Sequence, residues 1–381
     1  MSSTLNLILL NAIIVGLIVF LFLLLYVEER FRKNNIDNDL EKLHSKQKGL
    51  CRWDPELAKR FVSDYNFPIN NVSVQEIFVH QLILFEKNFE TMTKWLNLWK
   101  LIDEKFDGDS GKFLHEYYQI RDKIIVDALD NPAYKQFNEM DMSAFNVPKL
   151  GVSKNNIYNM DNDEKYFISV DLRKANFQAL KYVNPEIVKN AKTYEDFIGL
   201  YTDLDYIKTS KYTRQVVFGK LNPSRQVTVE HYLINKVLES ICNFEHFDKE
   251  HLVSMSNDEL VFVVDNKEIL DNISEETIIE HISKTTDINV HIEKFQLKGY
   301  QLVNYRNCVC TSFYRKIHFS GEDDITLTCV PGTFHPIIWR LFTGQKLDKF
   351  DKFINYDKST LCMIVDNLKI IPFSFKAIKF D

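Results

Sequence analysis

Three acidic side chains stand where a carboxylate is costly to keep. Asp171 ends the apolar run YFISVDL (166–172), and Asp258 and Glu259 sit at the turn of an apolar hairpin, HLVSMSNDELVFVVDN (251–266). A carboxylate at the tip of a strand loses hydration unless it is paired or binds a cation. If the two strands are neighbours, the three groups converge at one sheet edge, where a divalent cation relieves their repulsion. Mg²⁺ or Mn²⁺ suits such oxygen ligands, and Mg²⁺ keeps coordination positions for substrate phosphates. That is the arrangement needed for two-metal phosphoryl transfer. Taken singly, each position also has a plainer reading, as turn chemistry in a hairpin or as a cap on the following helix.

A cationic stretch lies between the two acidic sites. Lys208, Lys211, Arg214, Lys220 and Arg225 fall between Tyr206 and Val229 with no acid among them. Such a run suits triphosphate and backbone phosphates, and equally a solvated helix face. There is no GxxxxGK[ST] loop, GxGxxG, HExxH or GxSxG. Cys308 and Cys310 lack a second pair at zinc spacing, and the Glu245–His251 cluster reads as a solvated loop.

The elements that must position these residues follow from periodicity. Between 54 and 130, IFVHQLILFEKNF and MTKWLNLWKLIDEKF carry apolar residues at i, i+3, i+4 spacing, which predicts helices interrupted by the DGDSG loop at 107–111. Residues 131–165 read as irregular. The strand 166–172 then runs into a helix, ANFQALKYV, and helical segments continue through TYEDFIGLY and SKYTRQVVF to a break at GKLNPS. A helix over 225–241, the hairpin, a helix over 275–284 and a strand over 288–297 follow. The remainder reads as strand-rich with one helix at HPIIWRLF (335–342). This order predicts an α+β fold with a small antiparallel sheet carrying helices on one face.

In the same order, these segments resemble motifs A, B and C of the right-handed polymerase palm. NDELVFVV (257–264) resembles the motif C hairpin of family A DNA polymerases, with Asn257 in place of a His. ISVDLRKANFQAL (168–180) resembles motif A, and RQVVFGKLN (214–222) resembles motif B with Arg214 in the Lys place. The Tyr-Gly that follows motif B is missing, with Asn222-Pro223 there instead. The compact spacing before motif C is more like reverse transcriptases and viral RNA polymerases. The resemblance covers roughly residues 160–300.

It implies that Asp171 and Asp258 hold the metals, with Glu259 assisting. Arg214 and Lys211 would steady a triphosphate ahead of Phe218-Gly219, and Asn176 would inspect the sugar 2′ position. Lys294, on a strand that resembles motif D, would approach the triphosphate. The chain then divides into a helical fingers-like region (54–160), a palm-like catalytic domain (161–300) and a strand-rich, thumb-like region (301–381). The implied activity is template-directed, DNA or RNA polymerase-like nucleotidyl transfer with Mg²⁺ or Mn²⁺, using nucleoside triphosphates and a primer–template. The departures at Arg214, Asn222-Pro223 and Asn257 also suit a palm that has lost catalysis and serves as a membrane scaffold or nucleic-acid tether. A third reading is an unrelated α+β membrane-associated protein.

Residues 5–27, LNLILLNAIIVGLIVFLFLLLYV, carry no charge. A helix of that length rises about 34 Å, enough to cross a ~30 Å hydrocarbon core. It lacks the basic start, short apolar run and small-residue cleavage site of a signal peptide. Asn6 and Asn11 do not form a polar face. Arg30, Arg32 and Lys33 follow the span, so the expected orientation puts the N-terminus outside or lumenal and the body in the cytosol, after a stalk at 28–53. Cys51, Cys242, Cys308, Cys310, Cys329 and Cys362 show no disulfide-like spacing, as expected of a reducing compartment. The net charge of −6 means that any nucleic-acid affinity must come from a local basic surface.

Overall fold

The computed structural model describes residues 52–148, 150–244, 246–303, 309–319, 325–348, 350–357, 360–363 and 368–373. The apolar segment 5–27 and nearly all of the stalk lie outside the described residues, among which no helix is long and apolar enough to cross a membrane. Contacts divide the chain between Arg52 and Trp53, and the unit from Trp53 onward holds the helices and strands that follow.

Helices come first: α1 (Pro55–Tyr65), α2 (Gln75–Leu84), α3 (Glu86–Phe89), α4 (Thr91–Phe106), α5 (Ser110–Asp130) and α6 (Pro132–Glu139). Their starts are written locally. Asp54 accepts from Leu57 N–H ahead of Pro55, Asp109 of the DGDSG loop accepts from Gly111 and Lys112, and Asn131 accepts from Ala133 ahead of Pro132. Their apolar stripes meet around Trp95, whose ring takes Phe61 and Phe78 edge-on, each with centroids 5.0 Å away.

After an irregular segment comes β1 (Tyr166–Leu172), followed by α7 (Ala175–Val183), α8 (Tyr194–Gly199), α9 (Asp205–Thr209), α10 (Lys211–Gly219) and α11 (Pro223–Ile241). The hairpin β2 (Leu252–Met255) and β3 (Glu259–Val264) leads to α12 (Lys267–Asn272), α13 (Glu275–Thr286) and the long β4 (Val290–Val303). Next are β5 (Val309–His318), β6 (Thr326–Thr328), α14 (His335–Phe342), β7 (Phe353–Asp357), β8 (Thr360–Met363) and β9 (Lys369–Pro372). The main sheet runs β2-β3-β1-β4-β5-β6, with β9 pairing β4, while β7 and β8 form a separate pair. Its ladders are antiparallel. From β1 to β4 the connectivity is a β-α-β-β-α-β unit.

The fold is therefore α+β and antiparallel, but the sheet has seven strands rather than a few. The expected boundary at 300/301 falls inside β4, which continues onto β5 and β9. Gly299 lies two residues beyond the strand read over 288–297. In the fold it marks a close approach: a Cβ there would come within 2.1 Å of the Phe373 ring.

The central strand is packed on both sides, which explains its continuous apolar run. Ile168, Val170 and Leu172 share one buried face with Leu260, Phe262, Val290 and Ile292, on the side of α11, α12 and α13. Phe167, Val261, Phe295, Leu297 and Tyr314 share the other, closed by Ile157 and Phe373. Each fully buried Phe contributes about 1.5–3 kcal/mol relative to exposure.

Candidate active site

Pairing of β1 with β3 sets Asp171 opposite Glu259. Leu172 N–H donates to the Asp258 carbonyl at 2.7 Å, so the hairpin turn closes directly over the end of β1. One hydroxyl shapes that turn. Ser256 Oγ donates to Asp258 Oδ1 at 2.7 Å and accepts from the N–H groups of Asp258 (3.2 Å) and Glu259 (3.0 Å). Burial, then Asp258 and Glu259, push the Asp171 carboxyl up to about 7. Burial also raises Glu259, opposed by Lys316 and reinforced by Glu293 and Asp258.

Two groups that sequence reasoning missed complete this edge. Glu230 of α11 is only 5% exposed and accepts from Asn176 Nδ2 at 2.7 Å. Burial and the nearby Asp258 push it up to about 7. A signal existed: Glu230 falls on the buried stripe of α11 with Gln226, Val229, Leu233 and Ile234, and an acid on an apolar helix face needs a reason. The second is Lys316 of β5, whose Nζ lies 2.5 Å from Glu293 Oε2 and 4.4 Å from the centre of the Phe295 ring. Burial works against its charge, yet Glu293, with Tyr158 and Glu259, more than offsets this and its pKa ends above the ordinary lysine value.

A cavity of 860 Å³ opens beside Asp171, lined by Arg173, Lys174, Lys181, Lys192 and Arg214 among others. Lys174 takes up a left-handed backbone (φ 52°) that turns the chain from β1 into α7 beside the cavity. Its ammonium pairs with Glu195, while burial, Arg214 and Arg173 hold its pKa down. Burial and Arg214 likewise hold Lys211 down. Arg214 itself forms no ion pair among the described residues. The cations thus crowd one another, as the carboxylates do. A buried acid fixes the helix that carries two of them. Ser210 Oγ caps α10 by accepting from Thr213 N–H at 2.9 Å and donates to Asp64 Oδ1 at 2.7 Å. Asp64 also accepts from Tyr117 (2.7 Å) and Tyr206 (2.8 Å), though burial still raises its pKa.

Of the residues expected from sequence, Asp171, Asp258 and Glu259 come together, Arg214 lines the same cavity as Asp171, and Lys211 sits beside Arg214. Asn176 reaches the cluster through Glu230. Phe218 is buried behind the wall, its ring 6.1 Å from that of Tyr194 and 6.5 Å from that of Phe177. Gly219 ends α10, with open space where a Cβ would lie. Lys294 lies apart from the others. It occupies the helix-covered face of β4, donates to the Ile273 carbonyl and lies 3.8 Å from Glu275. Alternation along β4 gives His291 and Glu293, not Lys294, the face that Asp171 shares.

Among the described residues no group of three or more His, Cys, Asp or Glu side chains meets metal-binding geometry. Asp171 and Asp258 offer hard oxygen donors with mutual repulsion to relieve. They fit a cation held by one or two carboxylates that completes its shell with phosphate and water. No family model matches the chain, and neither a curated protein nor a solved structure shows significant similarity to it.

Proposed function

We propose that this chain is a membrane-anchored, template-directed nucleotidyltransferase of polymerase-like type, with a palm-like region around β1, β3 and β4. One observation carries the reading: a carboxylate edge with excess negative charge borders a cavity crowded with cations. A nucleoside triphosphate with its divalent cation matches both halves. The pairing of β1 with β3, within a β-α-β-β-α-β unit, supports the likeness of these strands to motifs A and C.

In this reading Asp171 and Asp258 hold the cation, and Glu259 adds negative potential beside them. The chemistry supplied by bound Mg²⁺ or Mn²⁺ is activation of the attacking oxygen and stabilisation of the leaving group. Arg214, Lys211 and Lys174 grip the phosphates. Asn176 donates its amide N–H to Glu230, and its carbonyl oxygen is the acceptor for a sugar hydroxyl. Lys294 has no role here. The apolar segment 5–27 anchors the chain, with the body on the cytosolic side.

Extension of a labelled primer–template by the full-length chain in mild detergent, with Mg²⁺ or Mn²⁺, tests the assignment. The expected result is extension that the Asp171→Ala/Asp258→Ala double variant abolishes. Equal extension by the double variant would overturn these ligands. A palm without catalysis has one specific observation in its favour, since Lys316 already supplies a cation to Glu293 and Glu259. Calorimetric titration with Mg²⁺ separates the two, because a scaffold gives no heat that depends on Asp171.

A further inference from the structure

A second cavity, of 440 Å³, shares no lining residue with the first and lies between the α1–α2 connection, β6 and α14. Its walls include the rings of Phe67, Phe89 and Trp339 and the side chain of Leu327, and no Asp, Glu, Lys or Arg lines it. This chemistry is the reverse of the cationic cavity. It excludes phosphate as the recognised group and selects an uncharged, planar ligand. The volume falls in the range of about 300–1,000 Å³ typical of small-molecule sites.

The polar groups here are few and neutral. Burial holds the His335 imidazole down at about 4, so near neutral pH it offers one N–H and one lone pair. Neither that ring nor the Trp339 N–H has a hydrogen-bond partner among the described residues, and Trp339 is only 3% exposed. The walls are also fixed in advance. Asn70 accepts from Gln81 Nε2 at 2.6 Å and donates to the Gly332 carbonyl at 3.0 Å, tying the α1–α2 connection to the start of α14. Beside Trp339, the Arg340 guanidinium lies 2.9 Å from Asp351 Oδ2, and Asp351 Oδ1 lies 2.9 Å from His80 Nε2 of α2. A cavity held by a buried ion pair and hydrogen bonds loses little freedom when it binds.

We propose that this cavity takes a nucleobase, its ring stacked against Phe89, which meets the Phe67 ring edge-on at 6.3 Å, with Phe67 packed on its rim and its polar edge met by His335 and the Trp339 N–H. Aromatic side chains stack on any base through its π-face, and a neutral donor–acceptor pair reads a heteroaromatic edge without demanding charge. The ring can come from a free nucleoside or from an unpaired base of a single strand. The inference does not rest on the transferase reading.

The full-length chain in mild detergent is titrated with adenosine, with a single-stranded adenine oligonucleotide, and with an abasic oligonucleotide of equal length. Calorimetry reads the nucleoside and fluorescence polarisation the strands. The expected result is binding of at least one base-bearing probe, stronger than the abasic control. Phe89→Leu should weaken it roughly 5-fold or more, the lower end for losing one stacked base. Leu327→Trp, which fills the cavity, should abolish it. The two variants act oppositely on cavity volume, and circular dichroism melting checks each, so a folding defect in one leaves the other decisive. Response to adenosine alone assigns the free nucleoside as the source, and response to the strand alone assigns the unpaired base. No base-dependent binding, or binding that both folded variants retain, overturns the proposal. Adenosine carries no phosphate, so failure here leaves the carboxylate site untouched.

Discussion

At pH 8 Asp171 is ionised beside Asp258 and Glu259, while at pH 5 most of it carries a proton. Its folded pKa of about 7 lies above the ordinary 3.8, so between those values the folded chain binds more protons than the unfolded one. Stability from this group therefore falls as pH rises through that window, the reverse of a salt-bridged aspartate. Asp171→Asn should raise the melting temperature at pH 8 by about 2 °C or more, with a smaller gain at pH 5, in scanning calorimetry. Millimolar Mg²⁺ should raise the wild-type value at pH 8 and leave the Asn variant unmoved, as expected for a ligand bound only by the folded state. Asp171, Asp258 and Glu259 were legible because each interrupts an apolar run, and Arg214 because it stands in an acid-free stretch. Glu230 and Lys316 were not. Lys316 looks like an ordinary polar residue locally, and Glu230 shows only as an acid on the apolar stripe of α11; the meaning of each comes from partners such as Asn176 and Glu293 in other elements.

Local signals and distant packing both set what the sequence shows: residues 131–165 read as irregular, although Asn131 and Pro132 start α6 (Pro132–Glu139). β1 and α14 were predicted at the residues they occupy, 166–172 and 335–342. β4 was expected to end by 297 and runs to Val303, where it pairs with β5 and β9 and Gly299 makes room for Phe373. Gly299→Ala should destabilise the chain by about 1–3 kcal/mol in urea unfolding, the usual cost of overpacking. Adding Phe373→Ala should recover part of that loss, since contacting residues couple. The helix α10 gives a second test. Ser210→Ala removes its cap and one of three hydroxyl donors to Asp64, and should cost about 1–2 kcal/mol. The same variant should weaken pyrophosphate binding in calorimetric titration, because Arg214 and Lys211 ride on that helix.

On the scale of the whole unit, the helical region and the strand-rich end are clasped rather than independent. Asp351 is 0% exposed, between His80 of α2 and Arg340 of α14. Asp351→Ala leaves the Arg340 charge without its carboxylate and should cost about 3–5 kcal/mol. Native-state hydrogen exchange should show α14 and α2 losing protection together in that variant, with the β1–β3 ladder less affected. None of the three residues announces this in the sequence, since 271 positions separate His80 from Asp351. The fold class was legible because strand and helix patterns alternate in a fixed order. The size of the sheet was not, because only β4 joins its two halves and its continuation depends on β5 and β9.

The central place of β1 also fixes a schedule. Its two neighbours are made about 90 and about 120 residues after it, and at ~5–20 residues per second this strand waits roughly 5–25 seconds for them. During that interval the run YFISV has neither ladder available, although it is among the most apolar stretches of the sheet. Translation speed across residues 173–290 should thus govern how much chain reaches the native state in the cell. The strand that carries Asp171 is made early and covered late, and the ribosome sets the gap.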